Sequence, residues 1–160
     1  NGIEPGRARA IGSLIDFSWP IRSDIGLNLR AGGQLAFNPL PGGMGFSLGS
    51  NTGLRGLPGT VISGDNGWLG TAEVVVIPWR KDLKAFQLIP FVGYGGYEST
   101  RFSTTFGDDI GSTGIVARYI SGGLQLELGW VTTFLDQDNP GLWNDWVLGH
   151  GLHTKLRYSF

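Results

Sequence analysis

The sequence predicts an all-β fold, an antiparallel transmembrane β-barrel of eight strands forming one domain over residues 1–160. Three observations predict it. The first is period-2 alternation: Leu124, Leu126, Leu128, Trp130, Thr132 and Phe134 share one face of a strand, and Gln125, Glu127, Gly129, Val131 and Thr133 share the other. The second is composition. Charged residues are only 16% and aromatics 12%, with 28 glycines and a mean hydropathy of +0.01. Soluble domains carry about 25% charged residues. A barrel that shows lipid one face and a polar lumen the other needs fewer. The third is the spacing of connections, with short turns alternating with long polar loops, as in outer-membrane barrels.

The predicted strands follow in order. Arg9–Trp19 sets Ile11, Ile15, Phe17 and Trp19 against Asp16 and Ser18. Leu27–Asn38 sets Leu27, Leu29, Ala31, Leu35 and Phe37 against Asn28, Arg30 and Gln34. Met44–Gly49 is a short third strand before a long loop. Trp68–Trp79 is the fourth, with Ala72, Val74, Val76 and Pro78 on one face and Thr71 and Glu73 on the other. Phe86–Tyr94 contains Pro90, which removes a ladder donor and marks a defect. Gly114–Ser121, Leu124–Phe134 and Leu152–Phe160 complete the set. Residues 38–43, 79–85 and 121–123 read as short turns, and 50–66, 96–113 and 135–149 as long loops. An even strand count then puts both termini on the periplasmic side of a bacterial outer membrane.

The lumen face is where the charges collect. Parity places Asp16, Arg30, Glu73, Arg118, Glu127, Lys155 and Arg157 inward, where they must pair if the barrel is narrow. The net charge of -1 gives no general attraction to nucleic acid. The absence of cysteine removes disulfides and thiolate chemistry. No apolar run reaches the ~18 residues of a membrane helix, and residues 1–9 lack the apolar core of a signal peptide.

Two motifs interrupt the strand pattern. Leu54-Arg55-Gly56-Leu57 places one cation beside a glycine in the long loop, and Gly64-Asp65-Asn66-Gly67 is a tight-turn signal before Trp68. Together with Phe46-Ser47-Leu48-Gly49, Glu73 and Pro78, they resemble the barrel of two-partner-secretion transporters. These form the haemolysin secretion and activation family, within the superfamily of the barrel-assembly protein BamA. The resemblance covers nearly the whole chain and the C-terminal half of a sixteen-stranded family barrel, without its periplasmic POTRA domains.

The family's loop motif is Val-Arg-Gly followed by Tyr or Phe; here Leu57 replaces the aromatic. The family arginine pairs with an aspartate in a Phe-x-Asp-x-Gly pattern. The equivalent stretch here is Phe91-Val92-Gly93-Tyr94-Gly95, with Gly93 in the aspartate's place. Glu73 is the substitute acid that face parity offers Arg55. The terminal Tyr158 and Phe160 match the family's assembly signal. The resemblance implies outer-membrane lipid, the barrel-assembly machinery and, in full-length relatives, a secreted polypeptide as partners. It implies neither cofactor nor metal, and a loop that plugs or anchors rather than catalyses. On this reading the isolated chain is a small, side-chain-filled barrel with little transport of its own. The alternatives are a half-barrel that dimerises into a wide pore and a small barrel that binds a ligand.

Other patterns carry less. Gly45-Phe46-Ser47-Leu48-Gly49 fits G-x-S-x-G, but no helix follows to make a nucleophile elbow. His150 and His153 fall on opposite faces of a strand. Asp136, Asp138, Asn139 and Gly141 give an incomplete calcium loop. Arg80, Lys81, Asp82 and Lys84 read as a solvated turn.

Overall fold

The structure is a computed structural model that describes residues 8–41, 44–50, 52–55, 62–101, 104–136 and 151–159. It is all-β. The elements are β1 (Ala10–Arg22), β2 (Ile25–Ala36), β3 (Phe46–Leu48), β4 (Ile62–Gly64), β5 (Asn66–Lys81), β6 (Lys84–Arg101), β7 (Thr104–Ser121), β8 (Leu124–Asp136) and β9 (Gly151–Tyr158). Seven of them form one antiparallel sheet in the order β1-β2-β5-β6-β7-β8-β9, while β3 and β4 pair only with each other. No helix of the described residues is long and apolar enough to cross a membrane.

The predicted set of eight wall strands is corrected to seven. Met44–Gly49 does alternate, but Phe46, Ser47 and Leu48 pair with Gly64, Ser63 and Ile62 in a separate small hairpin. Alternation reports one packed face; it does not say which sheet the strand joins. Trp68–Trp79 therefore belongs to the third wall strand, not the fourth. The turn signal Gly64-Asp65-Asn66-Gly67 is not a hairpin turn either: it is a bend at Asp65 that passes the chain from β4 to β5.

The loop predicted over 96–113 is also corrected. β6 and β7 continue through it, pairing from Lys84↔Ser121 to Arg101↔Thr104. Gly95, Gly96, Ser99 and Thr100 give that stretch no hydrophobic period, yet its ladder hydrogen bonds do not require one.

The short connections are tight hairpins at Ser23–Asp24, Asp82–Leu83 and Gly122–Gly123. Asp82 (φ 52°) and Gly122 (φ 58°) take the left-handed conformation that two-residue hairpins demand. Pro90 leaves the predicted defect. β5 and β6 pair at Glu73↔Phe91 and next at Val76↔Leu88, and then the register shifts before Trp79↔Phe86. That bulge lies around Pro78 and turns Trp79, rather than Pro78, toward the apolar face.

The strand count changes the topology. β1 starts at the loop end of the sheet (Ala10↔Ala36), and β9 finishes at the turn end (Leu124↔Tyr158). The first and last wall strands thus run in the same direction, and β9 finishes at the opposite side from where β1 begins, not at the same side as an even strand count would require. β1 and β9 do not pair, so the sheet is open rather than a closed barrel. Both are exposed along almost their whole length.

The sheet nevertheless curls. Its concave face holds two apolar clusters. Ile89, Phe91, Val116 and Val131, with Val75 against them, fill the middle. Leu69, Tyr97 and Ile110 are buried nearer the loop end, as are Leu48 and Leu54 of the inserted segment. Its convex face carries the exposed aromatic and aliphatic side chains, among them Phe17, Trp19, Trp68, Trp79, Trp130 and Leu156.

Candidate functional site: a loop latched on the concave face

The site is built by the segment 37–65, which leaves β2 and returns to β5. Wall strands β2 and β5 are direct neighbours, pairing from Ile25↔Val76 to Gln34↔Gly67, so this segment is an insertion that the sheet itself does not need. Its described residues fold back over the concave face, and glycines on that face make room for them. A Cβ at Gly67 would lie 2.2 Å from the ring of Phe46, and one at Gly95 would lie 2.9 Å from Leu48 Cδ2. A Cβ at Gly93 would lie 2.8 Å from Leu54 Cδ2. Phe46, Leu48 and Leu54 therefore seat on three bare backbone positions of β5 and β6. Leu48 and Leu54 are both 0% exposed.

The base of the insertion is tied down by the Gly64-Asp65-Asn66-Gly67 motif. Leu40 N–H donates to Asp65 Oδ1 (2.9 Å), and Ser99 Oγ donates to Asp65 Oδ2 (3.4 Å). Ala36 N–H donates to Asn66 Oδ1 (2.7 Å). Gln34 Nε2 donates to the carbonyls of Met44 and Asp65. Gly64 passes so close to β6 that a Cβ there would meet the carbonyl oxygen of Glu98 at 2.7 Å. The motif residues Gly64, Asp65 and Gly67 are thus close-packing and bonding points of one seam.

The apex turns tightly. Thr52 Oγ1 donates to Gly49 O (3.0 Å), and Leu54 N–H donates to Gly49 O (3.0 Å). Gly53 has φ +119°, which L side chains rarely adopt, and a Cβ there would crowd Arg30 at 3.1 Å. This turn delivers Leu54 to the Gly93 notch and Arg55 to the strand beside it.

Arg55 then makes a forked contact with Glu73. Its Nε donates to Glu73 Oε1 and its Nη2 to Oε2 (3.2 Å). The guanidinium also lies 6.0 Å from the centre of the Phe91 ring. The side chains are 29% and 17% exposed, so the pair is half-withdrawn from water. The hydrogen bond to Glu73 holds the Arg55 pKa above its ordinary value, with the charges of Glu73 and Glu127 adding to it and burial opposing. Glu73, proposed from parity alone as the partner of Arg55, is the carboxylate it reaches. Gly56 and Leu57 of the same motif lie outside the described residues, as do Phe160, His150 and residues 137–141.

The remaining charges predicted to face inward all fall on the concave face. Asp16 and Arg30 are directly opposed on β1 and β2 and form an ion pair; Arg30 Nη1 also donates to Thr52 O (3.4 Å). Arg118 and Glu127 are opposed on β7 and β8 and pair at 2.8 Å. Gln87 and Gln125 flank that pair, at 3.3 Å from Arg118 and 2.6 Å from Glu127. Lys155 stands opposite Glu127 and Arg157 opposite Gln125, but neither forms an ion pair among the described residues. Tyr158 ends β9, exposed on the convex side.

Between the latched loop and the open flank lies a cavity of about 840 Å³, lined by Asp16, Arg30, Arg55, Glu73, Glu127 and Lys155 among others. No group of three or more metal-ligating side chains exists among the described residues. Ser47 lies in the small hairpin opposite Ser63, a strand-to-strand setting. Sequence reasoning missed Phe46, Leu48 and Leu54 as seats on glycine. The available signal was the coincidence of three apolar loop residues with Gly67, Gly93 and Gly95 on inward parity. Two inward hydroxyls on adjacent strands, Ser112 Oγ and Thr133 Oγ1, are buried without a hydrogen-bond partner among the described residues.

Comparison of this chain with protein-family models, with curated proteins and with solved structures finds no match.

Proposed function

We propose that this chain is the wall of an outer-membrane β-barrel of the polypeptide-transporting kind, with the 37–65 segment acting as an anchored plug on its lumen face. The supporting observation is the division of the sheet into two faces. Every charged residue between Asp16 on β1 and Arg157 on β9 that parity sends inward is on the concave side. Between the row of Trp68 and the row of Trp79 the outward face of the paired strands carries none: Phe17, Leu29, Ala72, Val92, Thr113 and Thr132 make one such row, and the outward charges Glu98, Asp109 and Lys84 lie level with or beyond those tryptophans.

Aromatic residues border this apolar band. Trp68, Tyr94 and Phe134 cluster toward the loop end, with ring centres 5.5 and 6.0 Å apart. Trp19, Trp79, Phe86 and Tyr119 lie toward the turn end. Trp68 and Trp79 are separated by about 35 Å of strand, or about 27 Å along a membrane normal at a tilt of ~40°. The lipid-facing band of such barrels is about 25 Å tall.

Arg55 on Glu73 serves as an anchor. A guanidinium stays protonated at neutral pH and has no proton to exchange, so the contact suits holding and not acid–base work. The apolar seats at Gly67, Gly93 and Gly95 do the same job by packing. The substrate class this reading supports is an unfolded polypeptide passing the lumen once the plug is displaced.

Reconstitution in vesicles of brominated lipids tests the membrane assignment. Quenching of tryptophan fluorescence, strongest with bromines near the headgroup, is the expected result. A chain that is monodisperse without detergent and unquenched in vesicles overturns it. Conductance of Arg55→Ala tests the plug: current above wild type supports it, and an unchanged trace sinks it.

A further inference from the structure

The two open edges are not equivalent, and they cannot satisfy each other in the usual way. β1 and β9 both run from the loop end to the turn end, so closure of one on the other would be parallel. The same holds for a second copy set beside this one in the same orientation. Antiparallel completion needs a strand that runs from the turn end to the loop end.

The concave side of β9 says what that strand must carry. His153, Lys155 and Arg157 point inward and are exposed. On the β8 side the only acid opposite them is Glu127, and its carboxylate is taken by Arg118 at 2.8 Å and Gln125 at 2.6 Å. Lys155 and Arg157 are therefore two cations on a strand edge with no acid among the described residues to pair them. At the other edge Asp16 is already paired with Arg30, so β1 asks for no charge. On the convex side β9 presents Leu152, Leu156 and Tyr158, each more than 60% exposed.

We infer that the free edge of β9 is an acceptor for an extended polypeptide segment that runs antiparallel to it, with acidic side chains facing Lys155 and Arg157 and apolar ones beside Leu152, Leu156 and Tyr158. β8 already shows the required pattern on the other side: Leu124, Leu126 and Trp130 face Tyr158, Leu156 and Leu152, with Gln125 and Glu127 between. The added strand repeats that pattern with two acids. The backbone of the edge supplies affinity, and the two cations supply selectivity. This inference stands on strand direction and charge and does not require the membrane reading.

The test uses the full chain in detergent micelles with Thr154→Cys, which is an unambiguous label because the protein has no cysteine. The probes are synthetic heptapeptides alternating apolar and charged residues, with one cysteine in the position that faces residue 154. Copper-phenanthroline serves as oxidant. A glutamate-bearing peptide should cross-link about tenfold more than its lysine counterpart, given two opposite-charge cross-strand pairs. The preference should vanish in Lys155→Gln/Arg157→Gln, while basal cross-linking remains. Equal yields from the two peptides overturn the inference. So does an intrachain disulfide in Phe17→Cys/Thr154→Cys, which would mean that β1 itself covers the edge.

Discussion

Replacing Arg55 by alanine should cost about 1.5–3 kcal/mol of stability, because it strands a carboxylate that water reaches poorly. Fully exposed ion pairs are worth about 0–1 kcal/mol, and stripping one partner from a buried pair costs about 3–5. With Arg55 29% and Glu73 17% exposed, this pair lies between those limits. Glu73→Gln should cost less, about 1–2 kcal/mol, since the more exposed guanidinium keeps some water and the Phe91 ring. Arg55→Ala/Glu73→Gln should cost only about 1 kcal/mol, because neither charge is left alone. The coupling energy of the cycle is then about 1.5–4 kcal/mol. Urea denaturation in micelles, read by tryptophan fluorescence, measures all four species. Chymotryptic cleavage within 37–65 reports whether the loss is local. Arg55→Lys separates charge from geometry: it keeps the cation, loses the two-pronged contact, and should still cost about 1 kcal/mol. A coupling below about 0.3 kcal/mol would refute the latch, since that is the size of error expected between independent sites.

Other outcomes follow from the same structure. The latch should not weaken between about pH 7 and 11: a raised arginine pKa contributes fully below its ordinary value and is lost only as pH rises through the higher one, so proteolysis of 37–65 should stay flat across that range. Ser112→Ala/Thr133→Val should be neutral or stabilising by up to about 1 kcal/mol in denaturation, because it removes two buried hydroxyls that have no partner. Leu128→Arg, on the convex face at mid-strand, should reduce folding into vesicles at a cost of about 2–4 kcal/mol, whereas Lys155→Gln on the concave face should not. Gly93→Asp should expel Leu54 and expose the loop to protease, since its Cβ would meet Leu54 Cδ2 at 2.8 Å and Thr71 Cγ2 at 3.1 Å; adding Leu54→Ala should restore protection in part.

How much of this was readable in the chain depends on where water is. Between the aromatic rims the charges stand on one face and the other is apolar, and the alternation of Leu124–Phe134 or Leu27–Phe37 sorts those inward charges. Beyond the rims the rule lapses. β6 and β7 run on through Gly95, Ser99 and Thr105 as strands held by backbone pairing, with Tyr97 and Ile110 buried there but too sparse to set a period. The hairpin β3–β4 fails in the opposite sense. Phe46 and Leu48 alternate because one side packs on Gly67 and Gly95, and nothing in the spacing distinguishes that packing from membership of the wall. The odd strand count, and with it the shared direction of β1 and β9, followed from that one misplaced strand.

The latch divides two jobs between two neighbouring residues. A side chain at Gly93 would need the volume that Leu54 occupies, and Leu54 is fully buried in it. Packing and charge therefore fall to different positions. The packing goes to Leu54 on the bare backbone of β6. The charge goes to Glu73, on the neighbouring strand and one inward step nearer the turn end, as the pairings Thr71↔Gly93 and Glu73↔Phe91 place it. Arg55, the next residue after Leu54, reaches that carboxylate with both prongs and lies over Phe91 as it does so. A leucine wedge and an arginine–glutamate contact thus hold the apex of the loop side by side. Losing either should loosen the apex, and losing both should free it, while Phe46 on Gly67 and Leu48 on Gly95 keep the base seated on the concave face.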